Sequence, residues 1–350
     1  MRRSRPTWML GVLLGIVAVA HASADREERA TPSFERAESL RRAAKFPDAI
    51  AAYRQTLQIL PEHPLAFDRL REVYNRAFAP VEALADLEAA VARRQDDFIA
   101  WNLLGVLYGR ERRWDHALAA FGRSLEAEPR AADALVNRGW VLLELRRHDG
   151  AVTAFEAALR IQPRLARGHA GIGSAVVEAR GDYEEGMKRY LAAVTLDPEN
   201  SALLNDLGWL SYKMNRYTEA MAALRKAAEL DPQNPMIQTN LALAYHKAGR
   251  VEEAIGRLDR ALAVNPEYTL ALYGLGKAYE SQGKYAEAIE AYRRAWRQSG
   301  NDLYLLLWIQ AYMASHGQAT TLFLFAFLAA GGVIAFRTFR GRRAPAPSKG

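Results

Sequence analysis

Residues able to do chemistry are sparse and scattered in this chain of 350 residues. Seven histidines, His21, His63, His116, His148, His169, His246 and His316, stand singly along it. No two of them have metal-ligand spacing with a carboxylate beside them, so neither a zinc site nor a histidine acid–base pair is expected. The chain has no cysteine, which excludes disulfides and thiolate metal sites. Gly171-Ile172-Gly173-Ser174 is glycine-rich, but it falls inside a helical stretch where small residues serve packing. There is no phosphate-binding loop and no Gly-x-Ser-x-Gly elbow. No catalytic residue, metal or cofactor is expected, and the chain reads as non-enzymatic.

The elements around these residues repeat. Pro129, Pro163, Pro198, Pro232 and Pro266 are spaced 34, 35, 34 and 34 residues apart, and Pro61 lies two periods before Pro129 with Gln95 in the intervening slot. Each proline closes a similar block. One runs through Trp101, Leu104, Gly105, Tyr108, Ala117, Phe121 and Pro129; another through Leu135, Gly139, Leu142, Ala151, Phe155, Ala158 and Pro163. A third has Leu204, Leu207, Gly208, Ala220, Leu224, Ala227 and Pro232, and a fourth Leu272, Leu275, Gly276, Tyr279, Ala288, Tyr292 and Ala295. Apolar steps of three and four predict two amphipathic helices per block. A turn at Gly181, Asn215, Gly249 or Gly283 separates them, because these residues tolerate a left-handed helix end. Small residues, Gly105 against Ala117 for instance, would let the two helices approach closely, and the prolines would end the second. A fixed period of this length predicts a stacked array.

The pattern resembles the tetratricopeptide repeat (TPR). Eight copies begin near Ala30, Pro64, Phe98, Ala132, Ala166, Ser201, Pro235 and Thr269. The copy from Pro64 is degenerate, with Arg71 in the small-residue slot, and the copy from Ala166 has one extra residue in its turn and Gly186 where others have alanine. The fold class implied is all-α: a right-handed α-solenoid of about eight helix pairs over residues 30–302, plus a C-terminal transmembrane helix. The resemblance further implies that first helices line a concave groove that holds a protein or peptide. The groove residues implied are Asn102, Asn137, Trp140, Asn205, Trp209, Tyr212, Lys213, Asn240, His246, Lys247, Tyr273 and Lys277. Their amides can bond a peptide backbone, and their aromatic rings supply contact area with little rotamer entropy. Trp101, Trp114 and Trp296 fall in packing slots. One TPR subclass clamps a partner's C-terminal carboxylate with basic residues and asparagines. This chain departs from it, since Phe34, Glu38, Asp68 and Glu72 occupy groove positions of the first two copies.

The ends suggest a membrane context. Met1-Arg2-Arg3-Ser4-Arg5 precedes an apolar run from Trp8 to Ala20 and the exit His21-Ala22-Ser23-Ala24, which reads as a signal peptide over residues 1–24, cleaved after Ala22 or Ala24, or as an uncleaved N-terminal anchor. Thr320–Phe336 is 17 residues without a charge, or ~26 Å of helix, the low end for a membrane span. Arg337, Arg340, Arg342, Arg343 and Lys349 follow it without an acid. This asymmetry predicts a single-pass inner-membrane protein with a basic cytoplasmic tail over 337–350 and the repeats on the periplasmic side. A buried capping helix is the alternative for the apolar stretch. Between repeats and span, residues 303–316 resemble a lone first helix that caps the array, with Trp308 and Tyr312 placed to rest at the membrane interface.

Net charge is +7, yet the basic ends account for it. Without the eight bases of residues 1–24 and 337–350, 39 bases face 40 acids, so the remainder is about −1. Nucleic acid is therefore not an expected partner. The expected function is a membrane-anchored scaffold that binds an envelope protein or peptide in its groove. Glycan or cell-wall binding, or service as an accessory subunit of a polysaccharide or secretion machine, is the alternative.

Overall fold

Apolar residues at helical spacing, twice per period, become helix pairs in the computed structural model of the chain, which describes residues 7–63, 65–77 and 80–317. Among the described residues there are seventeen α-helices and no strand. The chain divides into two units, one ending at Pro198 and the other beginning at Glu199. Each is a helical-repeat stack.

In the first unit, α1 (Thr7–Arg42) pairs through its later turns with α2 (Phe46–Ile59). The pairs α3 (Ala66–Ala77) and α4 (Pro80–Arg93), α5 (Phe98–Arg110) and α6 (Trp114–Ala127), α7 (Ala132–Glu144) and α8 (His148–Ile161), and α9 (Ala166–Arg180) and α10 (Tyr183–Leu196) follow. The second unit stacks α11 (Ser201–Lys213) with α12 (Tyr217–Leu230), α13 (Pro235–Lys247) with α14 (Val251–Val264), and α15 (Thr269–Ser281) with α16 (Tyr285–Ser299), and ends in α17 (Asp302–His316). Six first helices begin at Phe98, Ala132, Ala166, Ser201, Pro235 and Thr269, the block starts read from the sequence. The start at Ala30 lies within α1, as do both expected cleavage points. Pro64 and the apolar segment Thr320–Phe336 with its basic tail lie outside the described residues. Among the described residues no helix is long and apolar enough to cross a membrane.

The proline ladder stops the second helices as expected. Leu60, Glu128, Gln162, Asp197, Asp231 and Asn265 cap α2, α6, α8, α10, α12 and α14, and a proline follows each. Proline brings no N–H and disfavours the helical conformation of the residue before it. The turns within pairs are left-handed at Gly181, Asn215, Gly249 and Gly283. Ala44, Arg112 and Arg146 hold the same conformation at φ 55°, 58° and 58°, which the sequence concealed because a side chain there is strained.

Close approach within pairs follows one rule. The nearest neighbour of Gly105 is the ring of Phe121, 16 residues on, and a Cβ added at Gly105 would stand 2.5 Å from it. Gly139 meets Phe155 at 2.6 Å, Gly208 meets Leu224 at 2.5 Å and Gly276 meets Tyr292 at 2.4 Å in the same way. Large buried side chains thus lie against helix backbone where no side chain intervenes. In the second pair that slot holds Arg71, in register with Leu87, and α3 and α4 touch far less than the two helices of any other pair.

The glycine-rich stretch lies inside α9, where Gly171 packs on Phe155 and Gly173 on Tyr190. α17 closes the second unit by burying Leu307 and Ala311 against Ala288 and Tyr292 of α16.

Candidate functional site

In the first unit the first helices bring a polar chain together. Asn137 Nδ2 donates to Asn102 Oδ1 at 3.0 Å, and Arg167 Nη2 donates to Asn137 Oδ1 at 2.6 Å. Arg167 Nη1 reaches Asp68 at 3.0 Å and Asp133 at 3.4 Å. Arg71 shares the same Asp68 oxygen at 3.0 Å. Burial pushes the Asp133 carboxyl up to about 7; the Asp68 charge adds to this, and Arg167 and Arg71 oppose it. Burial pulls the Arg71 pKa down, Asp68 opposes, and Arg167 and Arg110 add to the fall.

Beside this chain lies an open cavity of about 390 Å³ lined by Arg71, Arg110, Arg112 and Arg167, with Trp114, Trp140, Asn137 and Glu144. Trp140 is half-buried, its ring edge-on to Phe155 at 5.5 Å. Arg110 donates to the amide oxygen of Asn75. A second cavity of about 320 Å³ lies between α3, α4 and α5; its walls are mostly apolar, and it shares Arg71, Val106 and Arg110 with the first.

In the second unit Trp209 and Tyr212 of α11 stack at 5.2 Å, and Lys213 Nζ lies 5.0 Å from the Trp209 ring centre, a cation–π contact. Burial raises the Tyr212 pKa, with the Tyr217 and Tyr273 phenols adding to it. Tyr273 of α15 packs 5.8 Å from Tyr304 of α17. Burial lowers the His246 pKa, and the charge of Lys247 adds to the fall. Lys277 Nζ pairs with Glu280 at 2.9 Å. Trp209, Tyr212, Tyr273, His246 and Lys277 are half-buried, while Lys213 and Lys247 are exposed. Burial also pushes Asp206, next to Asn205, up to about 6.

The asparagines require a correction. Sequence reasoning offered Asn102, Asn137, Asn205 and Asn240 as amides for a bound peptide. They are instead buried and bonded to one another, Asn137 to Asn102 and Asn240 Nδ2 to Asn205 Oδ1 at 2.9 Å. Such pairs fix adjacent first helices, because a buried amide without a partner is costly. Trp140 and Trp209 do leave their helices beside the small residues, half-exposed. Trp101 spends its indole N–H on Gln95 O at 2.9 Å and Trp296 stacks on Trp308 at 6.2 Å, both as packing residues, whereas Trp114 also reaches the arginine cavity.

Sequence reasoning missed the arginines. Arg71 was visible only as a misfit in its slot; Arg110 and Arg112 belong to one repeat and Arg167 to another, each at a different repeat position, so no period connects them. Among the histidines, His63 Nδ1 accepts the N–H groups of Leu65 and Ala66 at the start of α3. Among the described residues no three histidine, aspartate or glutamate side chains converge as metal ligands.

Comparison with solved structures supports the fold. The APC/C hetero-tetramer Cut9-Hcn1 superposes with a TM-score of 0.66 at 18% identity over 79% of this chain, which spans only 54% of that one. Pseudomonas aeruginosa pilF matches with a TM-score of 0.54 at 22% identity, covering 64% of this chain and 98% of that one. The type IV pilus biogenesis factor PilW matches at 0.52 and 21% identity, over 56% and 91%. Identities this low establish the architecture alone. No curated protein matches the sequence. A family profile, that of the C-terminal domain of cilia and flagella-associated protein 70, matches residues 79–304, well over half of the chain. With its helix pairs, left-handed turns and small-residue slots, the chain belongs to that tetratricopeptide-repeat family.

Proposed function

We propose that this chain is a membrane-anchored, non-enzymatic scaffold whose first-helix faces hold an extended peptide or helix of an envelope protein outside the cytoplasm. The observation that carries the binding reading is the row on α11, α13 and α15. There Trp209, Tyr212, His246 and Tyr273 are only half-buried and Lys213 and Lys247 are exposed. Aromatic rings flanked by cations are the groups that anchor protein interfaces. Trp140 extends the same chemistry to the first unit.

The anchor reading rests on the uncharged segment Thr320–Phe336 and the five bases after it. Next to that segment, α17 leaves Leu303 and Leu306 52% and 57% exposed, an apolar edge suited to a bilayer surface.

In vivo crosslinking of the parent and of a Trp140→Ala/Trp209→Ala double variant tests the binding reading. Loss of specific crosslinked proteins, with helicity retained by circular dichroism, is expected; an unchanged set refutes it. A periplasm-active reporter fused after Gly350 should be silent, and activity there overturns the orientation.

A further inference from the structure

We propose that the gap between α3, α4 and α5 is a binding site for a peptide segment in which a bulky apolar side chain stands next to a carboxylate. The proposal deepens the scaffold reading above and rests on it. Its origin is one substitution in an otherwise regular pattern. Seven helix pairs carry Ala37, Gly105, Gly139, Gly173, Gly208, Ala242 or Gly276 in the slot where a large side chain of the second helix lies on the first. At Gly105, Gly139 and Gly276 even a methyl group would stand within 2.6 Å of the facing ring. Arg71 cannot occupy such a slot closed. The α3–α4 pair accordingly stays splayed, and a cavity of about 320 Å³ opens where the other pairs are filled. That volume is at the lower end for ligand pockets and accommodates one or two large apolar side chains.

The walls dictate what fits. Leu87, Leu103, Val106 and Leu107 supply an apolar interior, and Arg71 and Arg110 stand in the wall shared with the arginine-lined cavity. Arg110 has the Asn75 amide as its partner, and neither it nor Arg112 has a carboxylate within ion-pair distance among the described residues. Arg71 divides one aspartate oxygen with Arg167. Of the nearby acids, Asp68 and Asp133 are engaged by Arg71 and Arg167 and Glu111 pairs with Arg113 at 3.4 Å, so that Glu144 is the acid left to face Arg110 and Arg112. The surplus is cationic, and guanidinium groups take carboxylates through paired N–H donors. An apolar side chain in the gap thus places an adjacent carboxylate at Arg110 and Arg71.

Fluorescence anisotropy on the full chain in detergent tests this with labelled Gly-Ser-Gly-Asp-Phe-Asp-Gly-Ser-Gly-amide. Three further probes accompany it: the same peptide with Asn for both Asp, the same peptide with Ala for Phe, and Gly-Ser-Gly-Ser-Phe with a free C-terminus. Binding of the Asp-Phe-Asp peptide or of the free C-terminus, about tenfold tighter than either neutral or Ala control, is expected. The stronger of the two tells side-chain from terminal carboxylate. Exposed Arg110 permits Arg110→Gln without disturbing packing, and it should weaken binding about tenfold. Arg71→Gly should let α3 close on α4 and abolish binding. Equal affinity for Asp and Asn peptides, indifference to Arg110→Gln, or no binding at millimolar peptide overturns the proposal. So does saturable binding of octanoate that excludes the peptide, since it would make the gap a fatty-acid site. If peptides fail while Trp140→Ala/Trp209→Ala still erases crosslinked partners, the site falls and the scaffold reading stands.

Discussion

Replacing Gly139 by alanine tests the packing rule that shapes every regular helix pair. The Phe155 ring is fully buried and clamped: a Cβ at Gly139 would stand 2.6 Å from it, and one at Gly171, on the next first helix, 2.4 Å. Carbon contacts are optimal at roughly 3.5–4.0 Å, so the ring would have to withdraw by about 1 Å, and Gly171 blocks that path. Overpacking of this kind costs about 1–3 kcal/mol, against a helix-propensity gain of about 1 kcal/mol. The net expectation is a loss of up to about 2 kcal/mol. Gly122→Ala is the control, since nothing lies within 4 Å of a Cβ there; it should gain up to about 1 kcal/mol. Phe155→Leu should rescue Gly139→Ala, because Ala242 and Leu258 already form such a pair in this chain. A double-mutant cycle by urea unfolding, followed by far-UV circular dichroism, should give a coupling of at least about 1 kcal/mol. If Gly139→Ala stabilises as much as Gly122→Ala, or the double variant is simply additive, the clamp argument is wrong.

Three further outcomes follow from buried polar groups and strained turns. Asp133 keeps its proton in the folded state up to about pH 7, whereas an unfolded aspartate loses it near ~4. Stability contributed by the protonated form is therefore complete below that lower value and lost as pH rises to 7. Asp133→Asn should match the parent at pH 4 and become progressively more stable toward pH 7, by no more than about 4 kcal/mol. A gap in melting temperature independent of pH would sink this. Arg146→Gly should relieve the left-handed strain at φ 58° and raise stability by about 1 kcal/mol; a lower melting temperature would contradict it. Asn240→Ala strands Asn205 Oδ1 in the interior and should cost about 1–3 kcal/mol, most of it regained in Asn205→Leu/Asn240→Leu. Absence of that recovery in calorimetry would show that the amide pair is not the source.

Local residue chemistry made most of the repeat readable. Pro129, Pro163, Pro198, Pro232 and Pro266 end helices because the ring removes a donor, and that effect needs no neighbour. Gly181, Asn215, Gly249 and Gly283 announce left-handed turns for an equally local reason, while Arg112 and Arg146 do not. Trp140 and Trp209 were placed by their position after a small residue, since a helix fixes side-chain direction by spacing alone. The asparagines were misread because a pattern locates Asn102 and Asn137 on one face without saying that they are near enough to bond each other.

The sequence by itself therefore determined the architecture: a period near 34, two helices per period, and a small-residue slot in each. What only the tertiary structure decided is where that regularity fails and what gathers there. The pair that carries Arg71 is the one whose helices touch least, and Arg110, Arg112 and Arg167, unrelated in repeat position, line a cavity beside it. Periodicity records what is repeated, whereas a site assembled from different positions of successive repeats exists only once the helices are stacked.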